Sequence, residues 1–446
     1  MLLSGLFGDP NVSASLSDRA RLQRMLDVEA ALAEVESGLG IIPATAAASI
    51  RDEARAELYD LAAIASEAAA AGNLAIPVVR HLTRRVAARD SRYVHWGATS
   101  QDIIDTGLVL QLKDSVPAIL RHLRSAAASA ADHALRHAAT PIAGRTWLQQ
   151  GTPTTFGLKA AGWLDALQRA TGGVQSAMQA ALVLQFGGAT GTLAALGEHG
   201  PAVADALGAR LGLAVPPAPW HAHRDRLASL ACALGVAAGT LGKIGRDLAL
   251  LGQTEVGEAF EATAEGRGGS STMPQKRNPV RVSVVLAAAV RAPGLVATML
   301  SAMPQEHERG LGGWQAEWET LPELVRVTAG SARAMADVLE GLVVDPARMR
   351  ENLAATCGLA LAEAVTMALA VSWGKSNAHA RVEEACRRAI AERRDLVDIL
   401  SEDPAVTAVL DRPALERHLN PERYLGAART FVDRILALRE GELRRG

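Results

Sequence analysis

The run LASLACALGVAAGTLGKIGRDLALL, Leu227 to Leu251, decides how the rest of the chain is read. Its apolar residues fall at Leu227, Leu230, Leu234, Ala237, Leu241, Ile244, Leu248 and Leu251, in alternating steps of three and four. That spacing is a heptad seam along one face of an α-helix. Gly235, Gly239, Gly242 and Gly245 lie beside it. Each glycine costs about 1 kcal/mol of helix propensity relative to Ala, so packing against a closely approached neighbour has to hold this helix.

Two more long helices belong with it. One is predicted from Thr106 to about His137, with Leu108, Leu112, Ile119, Leu123 and Ala127 inward and Pro117 as a kink. The other is the stretch from Val280 onward, apolar on nearly every side and broken by Arg291, Pro293 and Gly294, which reads as a buried helix and not a membrane span. A helix without a polar face has to be surrounded by others, so the expected architecture is all-α, with a central bundle of long helices that also buries surface between subunits. Three domains follow in chain order: residues 1–105, which include an amphipathic helix from Asp18 to Gly38; the central bundle, 106–344; and a smaller, more charged helical domain, 345–446, opened by Asp345 and Pro346.

Composition narrows the function. Lys and Arg number 46 against 48 Asp and Glu, a net charge of -2 that offers no broad basic surface to nucleic acid. Cys232, Cys357 and Cys386 are three scattered thiols without CxxC spacing, so neither a disulfide framework nor a zinc knuckle is expected. The opening MLLSGLF has no basic residue before its apolar run, and Asp9 and Pro10 follow at once, so it does not read as a signal peptide. A cytoplasmic protein without a membrane partner is expected.

The chemistry concentrates in GSSTMPQKRNP, Gly269 to Pro279, which follows a loose run containing Gly266 and Gly268. Such a flap exposes backbone amides and delivers the hydroxyls of Ser270 and Ser271, the compact cation of Lys276 and the amide of Asn278. Pro279 then opens the apolar helix where its missing N–H costs nothing. This set suits carbanion chemistry beside a carboxylate, because proton removal there builds a doubly charged aci-carboxylate that needs preorganised donors and a cation.

GSSTMPQKRNP resembles the signature loop of the fumarase/aspartase superfamily. HWGATSQDIIDT (His95 to Thr106), GRTWLQQGTPTTFG (Gly144 to Gly157) and QEHERGLGGWQAEWETLP (Gln305 to Pro322) resemble further segments of the same family in the same order. The resemblance implies a helical homotetramer without metal or organic cofactor, whose active sites are shared because the three motif regions come from three subunits. It implies that Ser270 takes the proton beside a carboxylate, that Lys276 and Asn278 hold that carboxylate, and that Thr99, Ser100 and Gln149 bind the substrate's other polar ends. A serine is a poor base in water, so the role requires Lys276 and flap amides to stabilise the alkoxide.

Departures from the family pattern point to a branch. Lyase members carry His where this chain has Trp147, and fumarase supports that His with a Glu where this chain has Ser283. Trp147 has no useful proton to exchange, so protonating a departing amine or hydroxide at this place is disfavoured. The pattern resembles the bacterial 3-carboxymuconate cycloisomerases, as do LQFGGATGTLAALG and PWHAHRDRL. It implies lactonisation of a tricarboxylate diene. Cations for such a substrate are expected from Arg19, Lys276 and Arg309, although Arg19 reads equally well as a solvated helix residue. Gln150 stands where those cycloisomerases carry His, which implies either a different acid–base arrangement or a different third substituent on the substrate, with sulfonate in place of carboxylate as an alternative. His95 reads either as a substrate hydrogen-bonding group or as a structural histidine. His221 and His223 lie in a Pro-rich loop without a third metal ligand, His133 and His137 read as a solvated helix face, and Gly187 to Gly191 reads as close packing and not a phosphate loop.

Overall fold

The computed structural model describes residues 4–262, 273 and 276–443. Ser270 and Ser271 lie outside the described residues. The chain is mostly helical, and five helices dominate: α2 (Ser100–Arg136), α3 (Phe156–Ala181), α4 (Asp225–Leu251), α5 (Val280–Ser301) and α6 (Gly313–Glu340). Ahead of them α1 runs Asp18–Gly38, the span given by its sequence periodicity, with the Ser17 hydroxyl accepting from the Ala20 amide as N-cap. Every seam residue of α4, from Leu227 to Leu251, is buried. Beside the seam, a side chain at Gly235 would come within 2.6 Å of Val296, and one at Gly242 would run into Ala289, so these two glycines admit α5.

The long helix α2 begins at Ser100, six residues before the start expected from its apolar period, and continues through Pro117. The early start has a local cause. Thr99 donates its backbone N–H to the Asp102 carboxylate at 3.0 Å, a cap that the apolar pattern does not register.

The mostly helical architecture agrees with the expected helical class, and among the described residues it is supplemented by four short strands, β1 (Pro141–Thr146), β2 (Gln149–Thr155), β3 (Ala259–Phe260) and β4 (Val343–Val344). β1 and β2 form an antiparallel hairpin that pairs Thr146 with Gln149 and Pro141 with Thr155, with a bulge opposite Gly144. The two-residue turn is Trp147-Leu148, at φ 53° and 63°. Asn and Gly normally fill such turns, because a larger residue in the left-handed region costs roughly 1–2 kcal/mol. β3 and β4 pair antiparallel.

The chain divides into two compact units. One comprises residues 1–123, 169–242 and 284–334, the other 124–168, 243–283 and 335–446, so each of the five long helices contributes to both. The division at residues 105 and 344 drawn from the sequence instead follows chain order. At the second of those points Asp345 caps α7 (Pro346–Ala354) by accepting from the Arg348 amide.

α4 and α5 are long and apolar enough, by length and composition, to cross a membrane. Several of their charged residues are paired within the protein, Lys243 with Asp247 on α4 among them. Arg291 bonds Glu323, and Arg281 pairs with Asp337.

Candidate active site

In the first unit, the start of α2 is a hub built by buried carboxylates. Asp102 accepts from His221 Nε2 at 2.8 Å, from the Gly187 and Gly188 amides at 3.0 and 2.9 Å, and from Thr99 N. One side chain thereby pins the glycine loop and the histidine loop to the helix start. His221, read from sequence as a loop residue, belongs to this buried network, and Gly187 is required because a side chain there would meet Pro219 at 2.7 Å.

One turn on, Asp105 accepts from Arg224 at 2.6 and 3.2 Å, from Gln101 at 3.0 Å and from the Trp314 indole at 3.0 Å. Arg224 reaches Glu317 through Nε at 3.0 Å and a terminal nitrogen at 2.6 Å, and its guanidinium lies 4.8 Å over the Trp220 ring. Burial acts against the Arg224 charge, but Asp105 and Glu317 outweigh it and hold the group cationic, while burial raises Glu317 above the usual carboxylate range. Two anions around one cation, all sealed from water, fix α2, α4 and α6 to one another within this unit.

On this support Arg309 donates through Nε to Gln101 at 3.0 Å and through one terminal nitrogen to Thr99 Oγ1 at 3.3 Å and the Ala189 carbonyl at 3.0 Å. The structure therefore brings Thr99 and Arg309 together. Ser100 opens the 37-residue α2, whose N-terminal end favours negative charge. His95, at φ 61°, bonds the buried Glu29 through Nδ1 at 2.6 Å. Arg19 is exposed on α1 and donates to the Ala56 carbonyl at 3.0 Å.

In the second unit, Glu258 is the organising group. It is fully buried and receives Arg145 in a bidentate pair at 2.7 and 2.7 Å, and Asn352 Nδ2 at 2.7 Å. Its backbone bonds Leu251 of α4 and Asp345. The clamp joins β1, two residues before the hairpin turn, to the residue that precedes β3. Glu261, just beyond β3, accepts from the Arg281 amide at 3.1 Å, so the flap's two flanks meet at the first turn of α5. Trp147 is 97% exposed at the hairpin tip, and Gln149 and Gln150 are exposed beside it. Lys276 is exposed, and Asn278 lines a cleft of about 40 Å3 with Phe260 and Arg277. Ser283 is exposed and donates to the Val280 carbonyl at 2.7 Å. His133, expected on a solvated face, is instead buried against the Leu339 carbonyl at 2.9 Å.

A larger cleft of about 440 Å3 lies among Arg24, Lys113 and Arg210 in the first unit, away from the motif residues. Its arginines are paired, Arg24 with Asp27 and Asp114, Arg210 with Glu34.

The family model described as Lyase matches residues 8–294, and that described as Adenylosuccinate lyase C-terminus matches 358–435. The chain belongs to the fumarase/aspartase superfamily of lyases. Within that superfamily it is 55% identical to the 3-carboxy-cis,cis-muconate cycloisomerase of Pseudomonas aeruginosa, over 98% of this chain and 96% of the relative. The 3-carboxy-cis,cis-muconate lactonizing enzyme of Pseudomonas putida superposes with a TM-score of 0.93 at 49% identity, covering 98% of both chains. The β-carboxy-cis,cis-muconate cycloisomerase of Acinetobacter calcoaceticus follows at TM-score 0.92 and 40% identity, over 98% of this chain and all of that one.

Glu29, Asp102, Asp105, Arg224, Glu258 and Glu317 organise the motif residues, and none was singled out from sequence as a site residue. Asp102, Asp105 and Glu317 lie inside the quoted motifs, so an acidic residue in a helix's first turns was an available signal. Glu29 falls among the apolar-period positions Leu22, Met25, Leu26, Leu32 and Val35 of its helix, a signal of burial but not of its partner, while Glu258 had none, since its partner is 113 residues away.

Proposed function

We propose that the chain interconverts 3-carboxy-cis,cis-muconate and 4-carboxymuconolactone without metal or organic cofactor. A substrate carboxylate oxygen adds to the diene, forming the C–O bond. The displaced π pair moves to the carbon beside another carboxylate, giving an aci-carboxylate that then takes a proton. Trp147 carries this reading. A fully exposed indole at the hairpin tip has no proton for a leaving group, and a cycloisomerisation has no leaving group. Ser270, or a water it controls, supplies the proton in the lactone-forming direction, while Lys276 and Asn278 hold the carboxylate on which charge accumulates. Thr99, Ser100 and Gln149 take the remaining polar ends.

The working unit in this proposal is a cytoplasmic homotetramer with sites shared between subunits. Supporting it, only 33% of the most apolar window of α5 is buried within one chain, and Val290 on that helix is 78% exposed. Gln150, exposed at the hairpin, keeps 3-sulfomuconate as the second substrate to try. Loss of diene absorbance with each muconate tests the reading, and faster turnover of the carboxy compound is expected. No loss with either, or release of fumarate from succinyl conjugates, would overturn it.

A further inference from the structure

We infer that Glu29 is a positioning residue that holds His95 as a doubly protonated imidazolium, with Nε2–H left to bind one carboxylate of the substrate. The inference rests on the cycloisomerase reading and goes beyond it by assigning the cation and the group that sets its charge. The geometry begins with the 2.6 Å contact between His95 Nδ1 and Glu29 Oε1. A neutral or charged imidazole carries its Nδ1 proton toward that carboxylate, which leaves Nε2 as the nitrogen that faces elsewhere. Nε2 has no hydrogen-bond partner among the described residues, whereas the Glu29 side chain is 1% exposed and the His95 side chain 19%. Only the histidine end of the pair is open to a ligand.

His95 is held in the left-handed backbone region, with Gly97 at φ 72° two residues on, in a segment where a side chain at Gly97 would collide with Leu196 at 2.6 Å. A strained β-carbon residue placed by such close packing is what a preorganised binding group requires. Four residues further, Thr99 and Ser100 begin α2, so the imidazole shares its segment with the helix start that favours anions.

The charges around the pair act in the same direction. Burial alone would lower the His95 pKa, but the Glu29 charge and hydrogen bond, with a smaller contribution from Asp102 of α2, bring it above the ordinary histidine value. On α1, Glu36 is the other acid near Glu29, and burial together with Glu29 pushes it up to about 8. Glu36 therefore keeps its proton at neutral pH. Tyr59, which also feels Glu29, stays neutral because burial pushes it up to about 12; its hydroxyl donates to the Glu53 carbonyl at 2.9 Å, and Arg85 lies 5.6 Å over its ring. Arg309 has two of its nitrogens engaged inside the chain. A histidine cation in the same segment as Thr99 adds positive charge for a tricarboxylate.

The test combines steady-state kinetics with NMR of intact protein carrying histidine labelled at 13Cε1. Glu29→Gln keeps the side-chain shape and still accepts from Nδ1, but removes the charge. KM for 3-carboxymuconate is expected to rise about ten-fold at neutral pH, with kcat changed less than three-fold, as loss of a charge-assisted hydrogen bond predicts. The rise of KM on the alkaline side should move to lower pH together with the His95 Cε1 titration, whose assignment comes from His95→Gln. The double variant should bind no worse than His95→Gln alone, because Glu29 acts through His95. An unmoved His95 titration, or additive effects in the double variant, would overturn the inference. A wild type inactive on both muconates would instead sink the cycloisomerase reading, while the NMR titration would still decide whether Glu29 sets the charge of His95.

Discussion

A carboxyl group sealed from water without a partner holds its proton well past the pH at which a solvated glutamate loses it. Glu36 is such a group, with 0% exposure and no hydrogen-bond partner on either oxygen. Its pKa lies near 8 in the fold against an ordinary 4.5. Between those values the folded chain binds a proton that the unfolded chain has released, so stability falls as pH rises through that window and levels off above it. Glu36→Gln is neutral throughout and escapes the decline. Its melting temperature relative to wild type should therefore climb between pH 5 and pH 8.5, by the equivalent of roughly 4 kcal/mol; parallel melting curves at the two pH values would show that Glu36 is ionised in the fold. Trp147 makes the opposite case, a residue with little to do for its own chain. Trp147→Gly relieves a left-handed tryptophan worth roughly 1–2 kcal/mol, so circular dichroism should report an intact helical fold while kcat/KM falls at least about ten-fold. Wild-type turnover would remove Trp147 from the site.

Where an element's position depends on one buried ion, breaking the ion pair should cost far more than breaking a surface pair. Arg224 lies between Asp105 and Glu317, all three essentially without exposure, whereas Arg412 pairs with Asp398 and Glu416 at the surface. Arg224→Leu leaves two carboxylates buried together and is expected to cost about 3–5 kcal/mol in urea denaturation, against less than about 1 kcal/mol for Arg412→Leu. Equal costs would show that the triad does not fasten α2, α4 and α6. These elements also show what the sequence allowed. α1 and the α4 seam were legible because burial on one helical face writes itself into residue spacing. The start of α2 was placed six residues late because a capping carboxylate, not an apolar period, sets it. The β1–β2 hairpin was quoted as a motif yet not seen as strands, since Trp147-Leu148 lacks the Asn or Gly that such turns favour. The motif residues themselves were legible, but their supports were not. Glu29 and Glu258 find His95 and Arg145 across the fold, and pairings over such separations leave no local pattern.

At the scale of the whole molecule, α5 exposes more apolar surface than a lone chain should carry, and the hairpin sets a tryptophan in water. Both features are accounted for when copies of the chain cover one another and each site draws its flap and its hairpin from different subunits. Light scattering should then give the mass of four chains. A stricter consequence concerns mixing. Ser270→Ala and Gln149→Ala are each expected to inactivate every site of the proposed tetramer. In a hybrid assembled from equal amounts of both, the flap donor and the hairpin donor of a site are drawn independently. Roughly one site in four then receives an intact copy of each, so about a quarter of wild-type turnover should return after the variants are unfolded together and reassembled. If both residues of a site came from one chain, no site in the hybrid could be intact and turnover would stay at the level of the separate variants. Native mass spectrometry of the mixture, run on variants of distinguishable mass, shows whether hybrids have formed. Mixed tetramers without recovered activity would therefore refute the sharing of sites.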